Sequence, residues 1–169
     1  AATFLLSKII PPVGGDTLFA NTQKAYEDLD DEMKLKIENL KVVHSAKLPY
    51  ADDGFYATET EKRSMKIITS KEAKKEQIHS LVKAHPETQK KGLFINPVYT
   101  SHIQGFNEEE SFLLLSKLYE HMTQEKYIYR HKWKENMLLM WDNRTVMHMA
   151  EGGYDGYDRL LHRITIANS

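Results

Sequence analysis

Polar and apolar residues alternate along residues 159–166, RLLHRITI, while residues 138–146 are rich in apolar and β-favouring side chains. Between them EGGYDG carries the glycines that turns need, and the pattern predicts a β-hairpin. With its turn centred near Gly153 and Tyr154, His148 would lie opposite Arg159, roughly 5 Å away between Cα atoms. The period of two puts Arg159, Leu161, Arg163 and Thr165 on one face and Leu160, His162, Ile164 and Ile166 on the other. One imidazole and two guanidinium forks would then share a surface, the forks suited to carboxylate or sulfonate oxygens. A hydrogen-bonded strand histidine and two surface ion-pair arginines fit the same spacing, so periodicity leaves both readings open.

Elsewhere, residues 5–10 read as a strand closed by Pro11 and Pro12, and a GGD turn leads into a second strand at 17–20. Asn21 or Thr22 caps a helix through Tyr26, and Asp30 caps another over 31–40 with Met33, Ile37 and Leu40 inward. Residues 41–45 form a short strand. Residues 46–78 are polar and poorly periodic, which predicts a solvated excursion, and the interleaved charges of KEAKKEQ predict an exposed face. Strands at 81–84 and 93–96 flank HPETQKKG. Asn107 and Glu110 form a capping box that opens the clearest helix, with Phe112, Leu115, Leu118 and Tyr119 as its apolar stripe. Residues 127–133 alternate as a strand and 134–136 turn. The fold class expected is mostly β with inserted helices.

Composition narrows the function. A chain of 169 residues with 41% hydrophobic and 28% charged content suits one globular domain. The net charge of -1 argues against nucleic acid as a partner. No long apolar run or leader is visible, so no membrane partner is expected and a cytoplasmic location is. With no cysteine, any metal must take nitrogen and oxygen ligands.

Three segments carry a resemblance that covers nearly the whole chain in order: PPVGGDTLFAN at 11–21, HPET followed by FINPVYTSHI within 85–103, and WDNR-x3-H from Trp141 to His148 with Arg159 and Arg163 beyond it. Together they resemble the taurine dioxygenase family of Fe(II)- and 2-oxoglutarate-dependent oxygenases. The resemblance implies one dioxygenase domain over 1–169, built as a double-stranded β-helix of the jelly-roll, cupin-like kind. It implies Fe(II) held by an HxD segment and a distant histidine, with 2-oxoglutarate and O2 in the remaining positions. His148 matches that histidine, Arg159 and Thr17 match the pair that holds the far carboxylate of 2-oxoglutarate, and Arg163 matches the arginine that meets the substrate's anionic group. Tyr99, in NPVYT, matches an aromatic near the substrate.

The implied reaction converts the keto acid to succinate and carbon dioxide while a small anionic substrate is hydroxylated. Taurine or another alkylsulfonate, releasing sulfite, comes first; an aryloxyacetate or other carboxylate is second; a non-catalytic anion-binding jelly roll is the rival class. A homo-oligomer is expected. Other roles stay open for several residues: a turn-closing hydroxyl for Thr17, a pairing of Arg163 with Asp142, a core position for Tyr99. Asn143 and Arg144 are expected to shape the WDNR turn, and His44, His79, His85, His102, His121, His131 and His162 to be structural or surface residues. The family shows HxDxTF where this chain has AATF, which sets Ala1 at the metal carboxylate's position, and it has a longer loop between Phe4 and Leu5. On that comparison the sequence reads as a fragment or as ordered segments joined together.

Overall fold

The alternation at the start of the chain makes one long strand, β1 (Ala2–Ile9), which stops where Pro11 and Pro12 remove the N–H groups a ladder needs. The computed structural model describes residues 2–58 and 67–166; Ala1 and part of the expected excursion, 59–66, lie outside the described residues. After β1 come β2 (Thr17–Asn21), α1 (Thr22–Glu27), α2 (Asp31–Ile37), β3 (Lys41–Ser45), α3 (Lys47–Tyr50) and α4 (Phe55–Thr58). A 3-10 turn at Lys71–Lys74 precedes β4 (Glu76–Ser80), β5 (Val82–Ala84), β6 (Lys91–Leu93), β7 (Thr100–Ile103) and α5 (Glu108–Met122). A second 3-10 turn, Glu125–Tyr127, leads to β8 (Ile128–His131), β9 (Leu138–Asp142), β10 (Val146–Ala150) and β11 (Leu160–Ile166). Mostly β with inserted helices is the observed class. Among the described residues no helix is long and apolar enough to cross a membrane.

Contacts gather into two compact units, one from Ala1–Leu29, Ala84–Gly92 and Glu120–Ser169, the other from Asp30–Lys83 and Leu93–Tyr119. The first holds two antiparallel sheets, β11-β1-β9 and β10-β2-β8. In the first sheet Leu5 lies between Arg163 and Leu139, and Thr3 between Thr165 and Trp141. Fully buried Ser7 ties β1 to the turn before β9: its hydroxyl donates to the Lys134 carbonyl and accepts from the Met137 N–H at 2.9 Å. Asn136 makes that turn possible in the left-handed region, at φ 62°.

The expected hairpin between residues 138–146 and 159–166 is not formed. β10 pairs with β2 and β11 with β1, so His148 lies opposite Phe19 instead of Arg159, and the glycine segment crosses from one sheet to the other. A period of two sets the face of a strand but not its neighbour, and both strands pair with strands from the start of the chain. The longer loop that the resemblance places between Phe4 and Leu5 has no counterpart: β1 runs unbroken there, Phe4 paired with Ile164 and Met140.

In the second unit β3 is the centre of the sheet β4-β3-β7, and Ile37, Val42, Leu81, Leu93, Ile103 and Leu118 form the buried core. Asp30 caps α2 by accepting from the Met33 N–H at 2.7 Å, but the helix ends at Ile37, short of Leu40. The capping box of α5 forms in both directions, Glu110 N–H to Asn107 Oδ1 at 2.9 Å and Asn107 N–H to the Glu110 carboxylate at 3.1 Å. Its buried positions include Ser111, Leu114, Leu115 and Leu118, whereas Phe112 is 69% exposed, so the inner stripe is turned from the expected one. The excursion at 46–78 is less irregular than its composition suggested, since it holds α3, α4, the Lys71–Lys74 turn and most of β4. The strands expected at 81–84 and 93–96 are β5 and β6, the latter moved two residues towards the N-terminus. His44 stacks on Phe94 and shares a 3.0 Å hydrogen bond with Thr100, and burial, with the His79 and Lys83 charges, lowers its pKa to about 4. It is a structural histidine.

Candidate active site

The site is built on one face of the β10-β2-β8 sheet. Directly opposed residues of an antiparallel pair share a face, so Thr17 lies in a row with Ala150 and His131, and Phe19 with His148 and Tyr129. The His148 ring stacks on Phe19 at 6.0 Å and meets the Trp141 edge at 4.9 Å. Phe19 and Trp141 are themselves in edge contact at 5.1 Å, and a cavity of about 440 Å³ opens beside them, walled also by Tyr129, Val146 and Leu139. His148 keeps an exposed edge by surface area, yet the side chains crowding its ring withdraw it from bulk water. That desolvation first, and the Arg163 charge second, lower its pKa and hold the imidazole neutral, the form that ligates metals. No hydrogen bond reaches either ring nitrogen among the described residues.

Arg163 belongs to the other sheet of the same unit, on the face that Leu139 and Trp141 share. It does not pair with Asp142. That carboxylate is taken by Arg144, whose Nε reaches both oxygens at 2.9 and 3.0 Å, and by His85 Nε2 at 3.0 Å, which hold its pKa far below the usual range. Asn143 accepts from the Trp141 indole at 2.8 Å and donates to Thr3 Oγ1 at 2.8 Å. The WDNR turn thereby fastens the strand that carries His148 to the start of β1, and the expected turn-shaping role of Asn143 and Arg144 is met.

Arg159 sits just before β11. Its Nη2 donates to the Gly15 carbonyl at 3.0 Å, its guanidinium lies 5.6 Å from the Tyr154 ring, and its Nε is buried with no partner. The two glycines of PPVGG make this seat. Both have positive φ, 67° at Gly14 and 73° at Gly15; a Cβ on Gly15 would stand 3.0 Å from Arg159 Nε, and one on Gly14 would stand 2.5 Å from the Gly153 carbonyl oxygen. Gly14→Ala should therefore destabilise the protein by at least about 1–3 kcal/mol, read as a lower urea midpoint. An unchanged midpoint would mean the 151–153 segment is not held against Gly14.

Thr17 is buried, and its hydroxyl does not close the GGD turn; it accepts from the Trp133 indole at 3.0 Å. The turn region is held instead by backbone bonds from Gly15 to Gly152 and from Glu151 to Asp16, with Arg130 bridging Glu151 and Asp16. Tyr99 belongs to the second unit, 38% exposed and stacked on Tyr50 at 6.4 Å. Sequence reasoning missed Phe19, Trp133 and His131 as parts of this face; the signal available was the period of two through TLF and HKW, read towards Thr17. His85 was expected to be structural, and its ring indeed serves the turn through Asp142.

A family profile described as taurine catabolism dioxygenase TauD, TfdA family matches residues 1–165. The chain belongs to this family. It is 37% identical over 166 residues to an alkylsulfatase of Acinetobacter baylyi, covering 98% of this chain and 51% of that one. To the alpha-ketoglutarate-dependent 2,4-dichlorophenoxyacetate dioxygenase of Burkholderia sp. it is 36% identical over 149 residues, 86% of this chain and 46% of that one. Among solved structures, AAD-2 in complex with Mn(II) and N-oxalylglycine aligns with a TM-score of 0.81 at 34% identity, over 96% of this chain and 61% of that one. A taurine dioxygenase from Burkholderia xenovorans aligns at 0.78 with 30% identity, over 96% and 50%. This TauD, TfdA chain spans about half the length of the curated relatives it matches.

The groups present fit what the family resemblance implies. A buried Arg159 Nε without an acceptor, beside a close-packed glycine cradle, suits a carboxylate, and a neutral strand imidazole suits a divalent metal. Among the described residues no three His, Cys, Asp or Glu side chains form a metal cluster, and of the implied ligand set His148 alone has a motif match.

Proposed function

We propose that this chain forms part of the active site of an Fe(II)- and 2-oxoglutarate-dependent dioxygenase that hydroxylates a small anionic substrate. The observation that carries the proposal is the buried, unpartnered Nε of Arg159, in a chain whose family profile runs across nearly its whole length. That profile crosses both compact units, which supports a single dioxygenase domain, and two sheets in the first unit support the double-stranded β-helix. Iron(II), O2 and the keto acid, when bound, supply the oxidative chemistry.

The chain's own residues do the rest. His148 offers a neutral imidazole nitrogen to the metal, held in place by Phe19 and Trp141. Arg159 and the Thr17 hydroxyl bind the far carboxylate of 2-oxoglutarate and so fix its orientation. Arg163 binds the anionic group of the substrate, and its charge also keeps a proton off His148. Phe19, Trp141 and Tyr129 give the face beside His148 an aromatic wall. Tyr99 is assigned to the substrate on its motif match alone.

The relatives' names bear on the substrate: alkyl sulfate, sulfonate, sulfate ester and aryloxyacetate enzymes all figure among them. An alkylsulfonate or alkyl sulfate is the first reading, oxidised at the carbon beside the anionic group, and an aryloxyacetate the second, after the 2,4-dichlorophenoxyacetate dioxygenases among the relatives. A panel of these anions, scored by sulfite, sulfate or phenol release, separates the two. Arg163→Ala should lower turnover of the preferred anion by roughly 10-fold or more while keto acid affinity stays near wild type. Equal turnover by the variant would remove Arg163 from the substrate site.

A further inference from the structure

We infer that Trp133 is a positioning residue for the cosubstrate: its indole N–H fixes the polarity of the Thr17 hydroxyl so that the hydroxyl proton is presented to the ligand's carboxylate. The inference rests on the proposed binding of 2-oxoglutarate at Arg159 and Thr17.

An indole N–H can only donate, so in the 3.0 Å contact between Trp133 Nε1 and Thr17 Oγ1 the threonine oxygen must accept. A hydroxyl has one proton, and that proton is then free for a second partner. Thr17 is 3% exposed, no acceptor for its proton is present among the described residues, and leaving a buried donor unmade is costly. In the proposed site a bound carboxylate would give both the threonine proton and the orphan Arg159 Nε an acceptor. Without Trp133 the hydroxyl could rotate and present a lone pair, which repels a carboxylate.

The indole is itself held in place. It is 7% exposed, and the His131 ring meets it nearly at right angles, 83°, with centroids 4.4 Å apart. His131 is directly opposite Thr17 in the ladder, and its buried Nε2 has no conventional partner. This edge-to-face contact packs His131 against the indole and helps to hold Trp133 beside Thr17.

The test is anaerobic calorimetric titration of 2-oxoglutarate into the iron-loaded, full-length protein, comparing wild type, Trp133→Phe, Thr17→Val, the double variant and Arg159→Ala. Trp133→Phe should raise Kd by roughly 3- to 10-fold, the worth of one hydrogen bond. In turnover the KM for 2-oxoglutarate should rise in step while kcat at saturation stays within about twofold. On the Thr17→Val background the same change should add less than about twofold, because the two act through one contact. A purely structural tryptophan would lower the melting temperature and leave this coupling absent. If Trp133→Phe does not fold, benzothienylalanine at position 133 removes the N–H at nearly constant shape and gives the same comparison. Wild-type affinity in either variant, with Arg159→Ala still weakened, overturns the role of Trp133 alone. Failure of wild type to bind 2-oxoglutarate overturns the underlying assignment and this role with it.

Discussion

Arg159→Ala is expected to weaken 2-oxoglutarate binding by about 10- to 150-fold. A charge-assisted, partly desolvated pair is worth roughly 1.5–3 kcal/mol, and each 1.4 kcal/mol is a factor of ten. The geometry favours the upper part of that range. Nη2 is already committed to the Gly15 carbonyl, which fixes the plane of the fork, and Nε is buried without a partner. Arg159→Lys should fall between the two, since it keeps the charge and loses the fork. Direct titration measures both, and an unchanged affinity in Arg159→Ala would take this residue out of the site.

His148→Ala should have the largest effect on activity. Loss of a hydrogen-bond partner to a ligating histidine costs about 10- to 100-fold in metal affinity or turnover, and loss of the ligand itself should exceed that. The packing of the ring predicts a small structural penalty, because Phe19 and Trp141 also contact each other without it. The variant should therefore stay folded, with a near-wild-type melting temperature, while iron-dependent consumption of 2-oxoglutarate is lost. Retained consumption would show that a different residue ligates the iron.

Much of this molecule was readable from local chemistry. Asn21, Asp30 and the Asn107–Glu110 pair cap helices where short-range rules put them, because a cap depends only on residues three or four apart. Pairing was not readable. The alternation in residues 138–166 told which side chains share a face, yet nothing local says that β10 pairs with β2 while β11 pairs with β1, since that choice is made by residues more than a hundred positions away. The glycines of EGGYDG invited a hairpin, but this connection crosses between sheets, and Gly153 lies against Gly14 instead of closing a two-stranded turn. Phe112 shows a subtler miss: α5 turns its Leu114, Leu115 and Leu118 side inward, and the apolar stripe was wide enough to allow either choice.

The candidate site divides in the same manner. His148, Thr17, Arg159 and Arg163 stood out through motif resemblance, which carries spacing with it. Trp133 and His131 did not, because an aromatic in a strand looks like core until its N–H is seen to end on a threonine hydroxyl. An unpartnered nitrogen is likewise a property of three dimensions, and it is the orphan Nε of Arg159 that ties the motif to an anionic ligand.

The central claim is tested most directly by measuring succinate formed from 2-oxoglutarate by the full-length protein, with and without Fe(II), across alkylsulfonates, alkyl sulfates and aryloxyacetates. Succinate should appear only when iron and the keto acid are both present, rise with at least one class of anion in step with its oxidised product, and vanish in His148→Ala. Specific binding of these anions with no iron-dependent succinate from any of them would contradict the account and leave an anion-binding protein in place of an oxygenase.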